Sequence, residues 1–365
     1  MSKEAILVLQ DGSVYKGLSF GAEATAYGEV VFSTGMTGYQ EMLTDPSFAG
    51  QIVVPTYPLV GNYGINPYDV ESKRIQVRAF VVREDCPQPS HWQSTMTLHD
   101  YLVQNNIPGI SGVDTRALTR RLRLAGVIMG ILTCEHSPEE ALARLKSLPR
   151  YDAIDYVKEV STDKAYKQTP SDAHHDIVVV DYGVKLNIMR ILNHLGCATT
   201  AVPCTVSAQD ILALNPDGIL LSPGPGDPSL LGYAEETVKG LVGKKPIMGI
   251  CLGHQILGRI FGAPTFKLKF GHRGANHPVR DLADGRIYIT AQNHGYAVDG
   301  DKLKGGFEVS HINLNDNTVE GCRHRELPIM SIQYHSEASP GPMDNMYLFE
   351  RFLDMVKDHE VSEIK

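Results

Sequence analysis

Cys251 stands between Gly249 and Gly253, after the apolar run 246–250 and ahead of Leu252-Gly-His-Gln255. A sharp strand-to-helix turn needs this Gly-x-nucleophile-x-Gly spacing. The nucleophile is held exposed on a strained backbone, and side chains two residues to either side would collide. A helix starting near Leu252 aims its N-terminus, with its partial positive charge, at the sulfur and favours the attacking thiolate. The Leu252 amide is then placed to donate to an oxyanion. An isolated cysteine is most often a small buried hydrophobe. Paired glycines, a preceding strand and a following helix pattern point instead to a covalent nucleophile.

A thiol nucleophile needs a base, and the base needs a third group to hold it. The segment Ile329–Tyr334 reads as a strand with His335 and Glu337 two apart at its end. Period two brings both side chains to one face, so Glu337 can bond one imidazole nitrogen while the other faces the sulfur. With 14 histidines present a chance His-x-Glu pair is expected, so the weight lies in the strand end and in Cys251 upstream. Leu221-Ser-Pro-Gly-Pro-Gly-Asp-Pro228 ends another strand, and amides at Gly224 or Gly226 can supply a second oxyanion donor. That loop lacks the lysine followed by Ser or Thr that closes a phosphate loop. Ala291-Gln-Asn-His-Gly-Tyr296 follows a strand-like Ile287–Thr290 and is a candidate for the amino-acid end of a substrate.

The elements that must carry these groups alternate from Ile177 onward. Ile177–Val180, Gly218–Leu221 and 246–250 read as buried strands, and Ile188, Ile191, Leu192 and Leu195 share one helical face that Gly196 stops. Strands separated by such helices imply right-handed crossovers and an open, mainly parallel sheet, with its reactive crevice at the carboxyl ends of the strands. The fold class is therefore α/β: an N-terminal mixed α/β domain over 1–150, a linker over 151–175, an α/β sheet domain over 176–357, and a charged tail over 358–365 that frays. In the first domain, Asp11-Gly12 suits a two-residue hairpin turn, and Ile75, Val77, Ala79 and Val81 predict a half-buried strand. Ser137-Pro-Glu-Glu140 carries cap, proline and glutamate signals for one helix ending near Pro149.

A chain of 365 residues favours two domains, and its net charge of −8 argues against a nucleic-acid binder. No apolar run reaches the roughly 18 residues of a membrane helix. The apolar run Ala5–Leu9 is too short for a signal peptide. Six cysteines without a Cys-x-x-Cys pair suit reduced thiols, so a cytoplasmic protein is expected.

Gly-Ile-Cys251-Leu-Gly-His-Gln, Ser-Pro-Gly-Pro-Gly-Asp-Pro, Gln-Asn-His-Gly and His335-Ser-Glu337 together resemble a class I (triad) glutamine amidotransferase domain. Ser33-Thr-Gly-Met-Thr-Gly-Tyr-Gln-Glu-Met-Leu-Thr-Asp-Pro-Ser47, Gly112-Val-Asp-Thr-Arg116 and Lys269-Phe-Gly-His-Arg-Gly-Ala-Asn-His-Pro278 are similar to the small-subunit family of carbamoyl-phosphate synthetase. The resemblance covers nearly the whole chain. It implies Cys251 as nucleophile, His335 and Glu337 as the rest of the triad, and glutamine contacts at Ser47, Gly224, Gly226, Leu252, Gln255, Asn293, Gly295 and Tyr296. It further implies a heterodimer with a large subunit that receives ammonia and spends ATP on carbamoyl phosphate for pyrimidine or arginine synthesis. No cofactor and no metal are expected on this chain, ATP and its metal ions falling to the large subunit. The N-terminal domain becomes chiefly a docking surface, with the basic stretch Asp114–Arg123 a candidate contact. Pro223, Tyr296 and Tyr334-His-Ser depart from the commoner residues at those places. Rival readings are an amidotransferase serving another synthase, a cysteine peptidase on a similar sheet, or a non-catalytic scaffold. The first 150 residues discriminate against the first two, and the retained cysteine and histidine against the last.

Overall fold

The structure, a computed structural model, describes residues 3–364. The chain divides into two compact units, Met1–Ile154 with Lys269–Gly274, and Asp155–Leu268 with Ala275–Lys365.

The first unit is a closed seven-stranded barrel in the order Glu4–Leu9, Val14–Gly21, Pro108–Ser111, Ala79–Val81, Gln51–Pro55, Ala26–Ser33, Ile128–Thr133, the last pairing back to the first. The opening hairpin forms where Asp11-Gly12 predicts it, but its loop is one residue longer than expected. Leu9 N donates to Ser13 O at 2.9 Å, leaving Gln10–Gly12 as the loop, and Gly12 takes φ +87°. This is the three-residue hairpin with glycine in the left-handed position.

The run Ile75–Val81 departs from its expectation. Only Ala79–Val81 is a strand, and both of its faces are buried. Ala79 and Val81 pack with Val30, Ile52 and Leu118, while Phe80 and Val82 pack with Val31, Val53 and Leu98. A strand covered on both faces has no solvent side to generate alternation. The helix Pro138–Ser147 carries the capping box read from its sequence, with Ser137 and Glu140 bonding each other's backbone.

The basic stretch is the helix Thr115–Ala125, which buries Leu118 and Leu122. Arg121 reaches Asp11 at 2.6 Å and Arg123 lies over the Phe270 ring at 5.9 Å. Phe270 belongs to the excursion Lys269–Gly274, which is held in the first unit by Val127 N to Lys269 O and Thr34 N to Arg273 O.

Residues 151–175 are not a free linker. Tyr151 is buried in the first unit, Tyr156 and Val157 are buried in the second, and Tyr166–Gln168 adds an antiparallel edge strand there. The polar composition hid three apolar anchors, and the boundary falls between Ile154 and Asp155.

The second unit is built on a ten-stranded sheet. Cys197–Pro203, His175–Asp181, Gly218–Leu221, Ile247–Ile250 and Ile329–Ile332 run parallel in that spatial order. An antiparallel wing then follows: Val319–His324, Phe307–Asn313, Thr265–Asp281 and Ile287–Val298. Sequence patterning predicts the parallel half; the wing is an addition to it. Helices cover both faces. Leu186–His194 and Tyr347–Ile364 pack on one, while Ala208–Ala213, Gly232–Leu241 and Leu252–Ile260 pack on the other.

The expected frayed tail is instead the end of a helix. Tyr347–Ile364 is anchored by Leu348, Phe349, Phe352, Leu353 and Val356, which pack with Met330 and Ile332. Five buried side chains on one stripe hold the first half, and the helix carries the charged residues beyond Asp358 with it. Lys365 lies outside the described residues. Among the described residues, no helix is long and apolar enough to cross a membrane.

Candidate active site

The strand Ile247–Ile250 delivers Cys251 to the start of the helix Leu252–Ile260, with Cys251 at φ 50° and ψ −101°. A non-glycine residue at positive φ is strained, and surrounding contacts must hold it there. They do. Cys251 N donates to Ile332 O at 2.8 Å, and Gly253 N donates to Ser222 O at 3.2 Å. A Cβ on Gly253 would stand 2.3 Å from Leu221 O, and one on Gly249 would stand 2.8 Å from the Gly253 carbonyl. Both glycines are thus required by close backbone approach, as the spacing predicts.

Leu252 is the first residue of its helix, where amides have no intrahelical acceptor. The Pro223–Gly226 loop comes up beside it: a Cβ on Gly224 would meet Tyr182 O at 2.3 Å and the Leu252 side chain at 2.7 Å. Gly226 takes φ +95° in the same loop. The loop backbone therefore packs against the first residue of the nucleophile helix. Pro223 fits because Ser222 Oγ accepts from Tyr182 N at 2.9 Å and fixes the loop without any contribution from residue 223's amide.

His335 and Glu337 meet differently from the expectation. The strand ends at Ile332, and the pair lies in the turn beyond it, with Ala338 and Ser339 at φ 57° and 53°. His335 Nδ1 is 2.6 Å from Glu337 Oε1, and His335 N donates to Ala291 O at 2.9 Å. The turn, not strand periodicity, brings the two side chains together. Tyr334 does not disturb them, because its ring is buried in the core edge-on to His311 at 6.0 Å.

Burial alone would lower the His335 pKa. The Glu337 carboxylate and the Cys251 sulfur overrule that and push it up to about 10. Burial would likewise raise Glu337, but the Lys185 ammonium and then His335 hold it down at about 2. Carboxylate and sulfur thus both favour the charged imidazole, while its Nε2 has no hydrogen-bond partner among the described residues.

Lys185 is the functional residue that sequence reasoning missed. It is buried, with Nζ 3.1 Å from Glu337 Oε1 and 2.6 Å from Ala338 O. Asn187 Nδ2 donates to Glu337 O at 2.6 Å. Both follow Asp181-Tyr-Gly-Val at the carboxyl end of a parallel strand, and that position was the only available signal.

Of the expected substrate contacts, Asn293 O lies 3.8 Å from Cys251 Sγ. Gln255 donates through Nε2 to Tyr296 O at 2.9 Å and to Gln333 Oε1 at 3.0 Å, so it fastens the nucleophile helix to the 293–296 segment. His294 bridges Tyr296 O and Gln292 Oε1, each at 2.8 Å, across Gly295. His254 Nδ1 meets Ser331 Oγ at 2.8 Å, and burial drives its pKa down to about 3, keeping it neutral. Ser47 belongs to the first unit. It is buried in the turn Pro46–Phe48 that Asp45 caps, and its hydroxyl has no hydrogen-bond partner among the described residues.

The segment 7–132 matches the family model for the carbamoyl-phosphate synthase small chain, CPSase domain, and 178–355 matches glutamine amidotransferase class-I. Carbamoyl phosphate synthase small chains from Syntrophotalea carbinolica and Listeria monocytogenes are 50% and 52% identical to this chain. The first alignment covers 99% of this chain and all of that relative, the second 98% of each. A small chain from Staphylococcus epidermidis is 50% identical over 100% of this chain and 99% of its own. With both family segments matched and relatives of about half identity aligned over nearly the whole chain, the chain belongs to the carbamoyl-phosphate synthase small-chain family and carries its class I glutamine amidotransferase domain.

Proposed function

We propose that this chain is the glutaminase subunit of a carbamoyl-phosphate synthase. The observation that carries the reading is a cysteine held at positive φ at the head of a helix, with a buried imidazole 2.6 Å from a carboxylate in the turn after the neighbouring strand. The Cys251 sulfur attacks the side-chain amide carbon of glutamine, and the charge that develops on oxygen rests on backbone amides at Leu252 and the Gly224–Gly226 loop. His335 gives its proton to the departing nitrogen, which leaves as ammonia. The imidazole then takes a proton from water as it hydrolyses the glutamyl thioester to glutamate, and the triad is restored. Glu337 fixes the ring and balances its charge throughout. Ser47, Gln255, Asn293, Gly295 and Tyr296 are assigned to glutamine, Gln255 acting through the segment it fastens.

Ammonia passes to a large-subunit partner that makes carbamoyl phosphate at the expense of ATP. Glutamine hydrolysis itself needs no cofactor on this chain, and the complex works in the cytoplasm. In the assembled complex, Cys251→Ser is expected to abolish glutamine-dependent synthesis and leave ammonia-dependent synthesis intact. Equal loss of both activities would overturn the reading.

A further inference from the structure

His175, Asp217 and Glu360 meet at the amino-terminal ends of the parallel strands, the opposite end of the sheet from Cys251. His175 opens the strand His175–Asp181, Asp217 immediately precedes the parallel strand Gly218–Leu221, and Glu360 lies near the end of the helix Tyr347–Ile364. One donor atom from each lies within 4.8 Å of those from the other two. Two observations set this apart from a chance acidic cluster. His175 is only 6% exposed, yet neither ring nitrogen has a hydrogen-bond partner among the described residues. Its Nδ1 faces into the cluster, 3.3 Å from Glu360 Oε1. That contact is an ion pair only when the ring is protonated, and a buried imidazole with no hydrogen bond is otherwise costly.

The charges do not balance either. Two carboxylates face one imidazole, and a protonated ring would still leave one negative charge over. Of the nearby cations, Lys167 pairs with Asp176 at 2.6 Å, and Lys357, 3.8 Å from Asp354 on the exposed face of the helix, also acts on Cys197. His174 packs edge-on to His175 at 4.7 Å. The Cys197 thiol, in register with His175 on the neighbouring strand, is pushed up to about 12 by burial, with Asp217 adding to it.

The carboxylates are also preset. Asp217 Oδ2 accepts from Asp176 N at 2.7 Å while Asp217 N donates to Asp176 O at 2.8 Å. This pins one donor beside His175 before any ion arrives. Glu360, on a half-exposed side chain, is the movable third.

We propose that His175, Asp217 and Glu360 bind one divalent metal ion of the zinc class, fastening the C-terminal helix to the amino-terminal ends of two central strands. One nitrogen and two carboxylate oxygens, with water completing the shell, suit zinc better than magnesium, which prefers oxygen alone. The site departs from the expectation of a metal-free chain, since its ligands are too far apart in sequence to form a motif. It lies away from the catalytic turn, so its role is structural.

The test uses the full chain, freed of metal by chelation and titrated with Zn²⁺ by calorimetry, beside Glu360→Gln and His175→Gln. The native chain is expected to bind one equivalent that each variant binds at least tenfold more weakly. Saturating Zn²⁺ should raise its Tm by several degrees, and that of Glu360→Gln by much less. Glutamine hydrolysis by Glu360→Gln should match the native rate. Zinc uptake of equal stoichiometry and affinity in native chain and Glu360→Gln, or no uptake by either, would overturn the site. Should His175→Gln fail to fold, Asp217→Asn replaces it with the same expectation.

Discussion

Lys185 Nζ and Glu337 Oε1 stand 3.1 Å apart in a place where both side chains are buried, and the same carboxylate oxygen takes His335 Nδ1 at 2.6 Å. The ammonium holds the carboxylate that in turn holds the imidazole. It keeps Glu337 ionised against burial, and Glu337 in turn keeps the imidazole charged.

Lys185→Met removes that support without adding bulk. Glu337 then rises from about 2 towards its ordinary range, and His335 falls from about 10. Glutamine hydrolysis is expected to drop on the order of 10²-fold in kcat, with the acid limb of the kcat/KM profile moved to higher pH. A merely structural loss would lower the profile without shifting it. Profiles at matched enzyme concentration decide between the two.

The same shifts predict how stability depends on pH. His335 has a folded pKa raised from 6.5 to about 10, so its contribution is full below 6.5 and is lost as pH rises through 10. Glu337 has its folded pKa lowered from 4.5 to about 2, so its contribution is present above 4.5 and is lost as pH falls through 2. Urea unfolding should show native stability declining between pH 6.5 and 10, and His335→Gln should flatten that decline. An unchanged slope in the variant would place the titration elsewhere.

Gly253→Ala tests the elbow. The new methyl would stand 2.3 Å from Leu221 O, a backbone atom that cannot swing aside. Destabilisation of about 3 kcal/mol is expected, with loss of glutamine hydrolysis, because the turn and the strand cannot both keep their places. Denaturant titration beside Gly232→Ala, where nothing lies within 4 Å of the added atom, supplies the control.

Much of this architecture is legible in the sequence where one residue type answers one local demand. Gly249 and Gly253 mark the elbow, Ser137 and Glu140 the capping box, and Ile188 and Leu192 a helix face. What stayed hidden depends on contacts distant in the chain. A lysine after a strand reads as a solvated charge, and only the fold shows Lys185 buried on Glu337. Ile75–Val81 looks amphipathic until the barrel covers both faces. His335 and Glu337 share a short contact that a turn and not the pleat creates. The tail beyond Asp358 is charged enough to read as frayed, yet the apolar stripe that fixes its helix ends at Val356.

The central claim is that the sulfur of Cys251 becomes covalently bonded to the glutamyl carbon, and trapping that bond tests it most directly. The full chain, in complex with its large subunit, would be treated with an electrophilic glutamine analogue, digested and mapped by mass spectrometry. The account predicts one adduct, on Cys251, that excess glutamine suppresses and that His335→Gln forms far more slowly. An adduct confined to Cys86 or Cys134, the half-exposed thiols, with Cys251 unmodified, would contradict it.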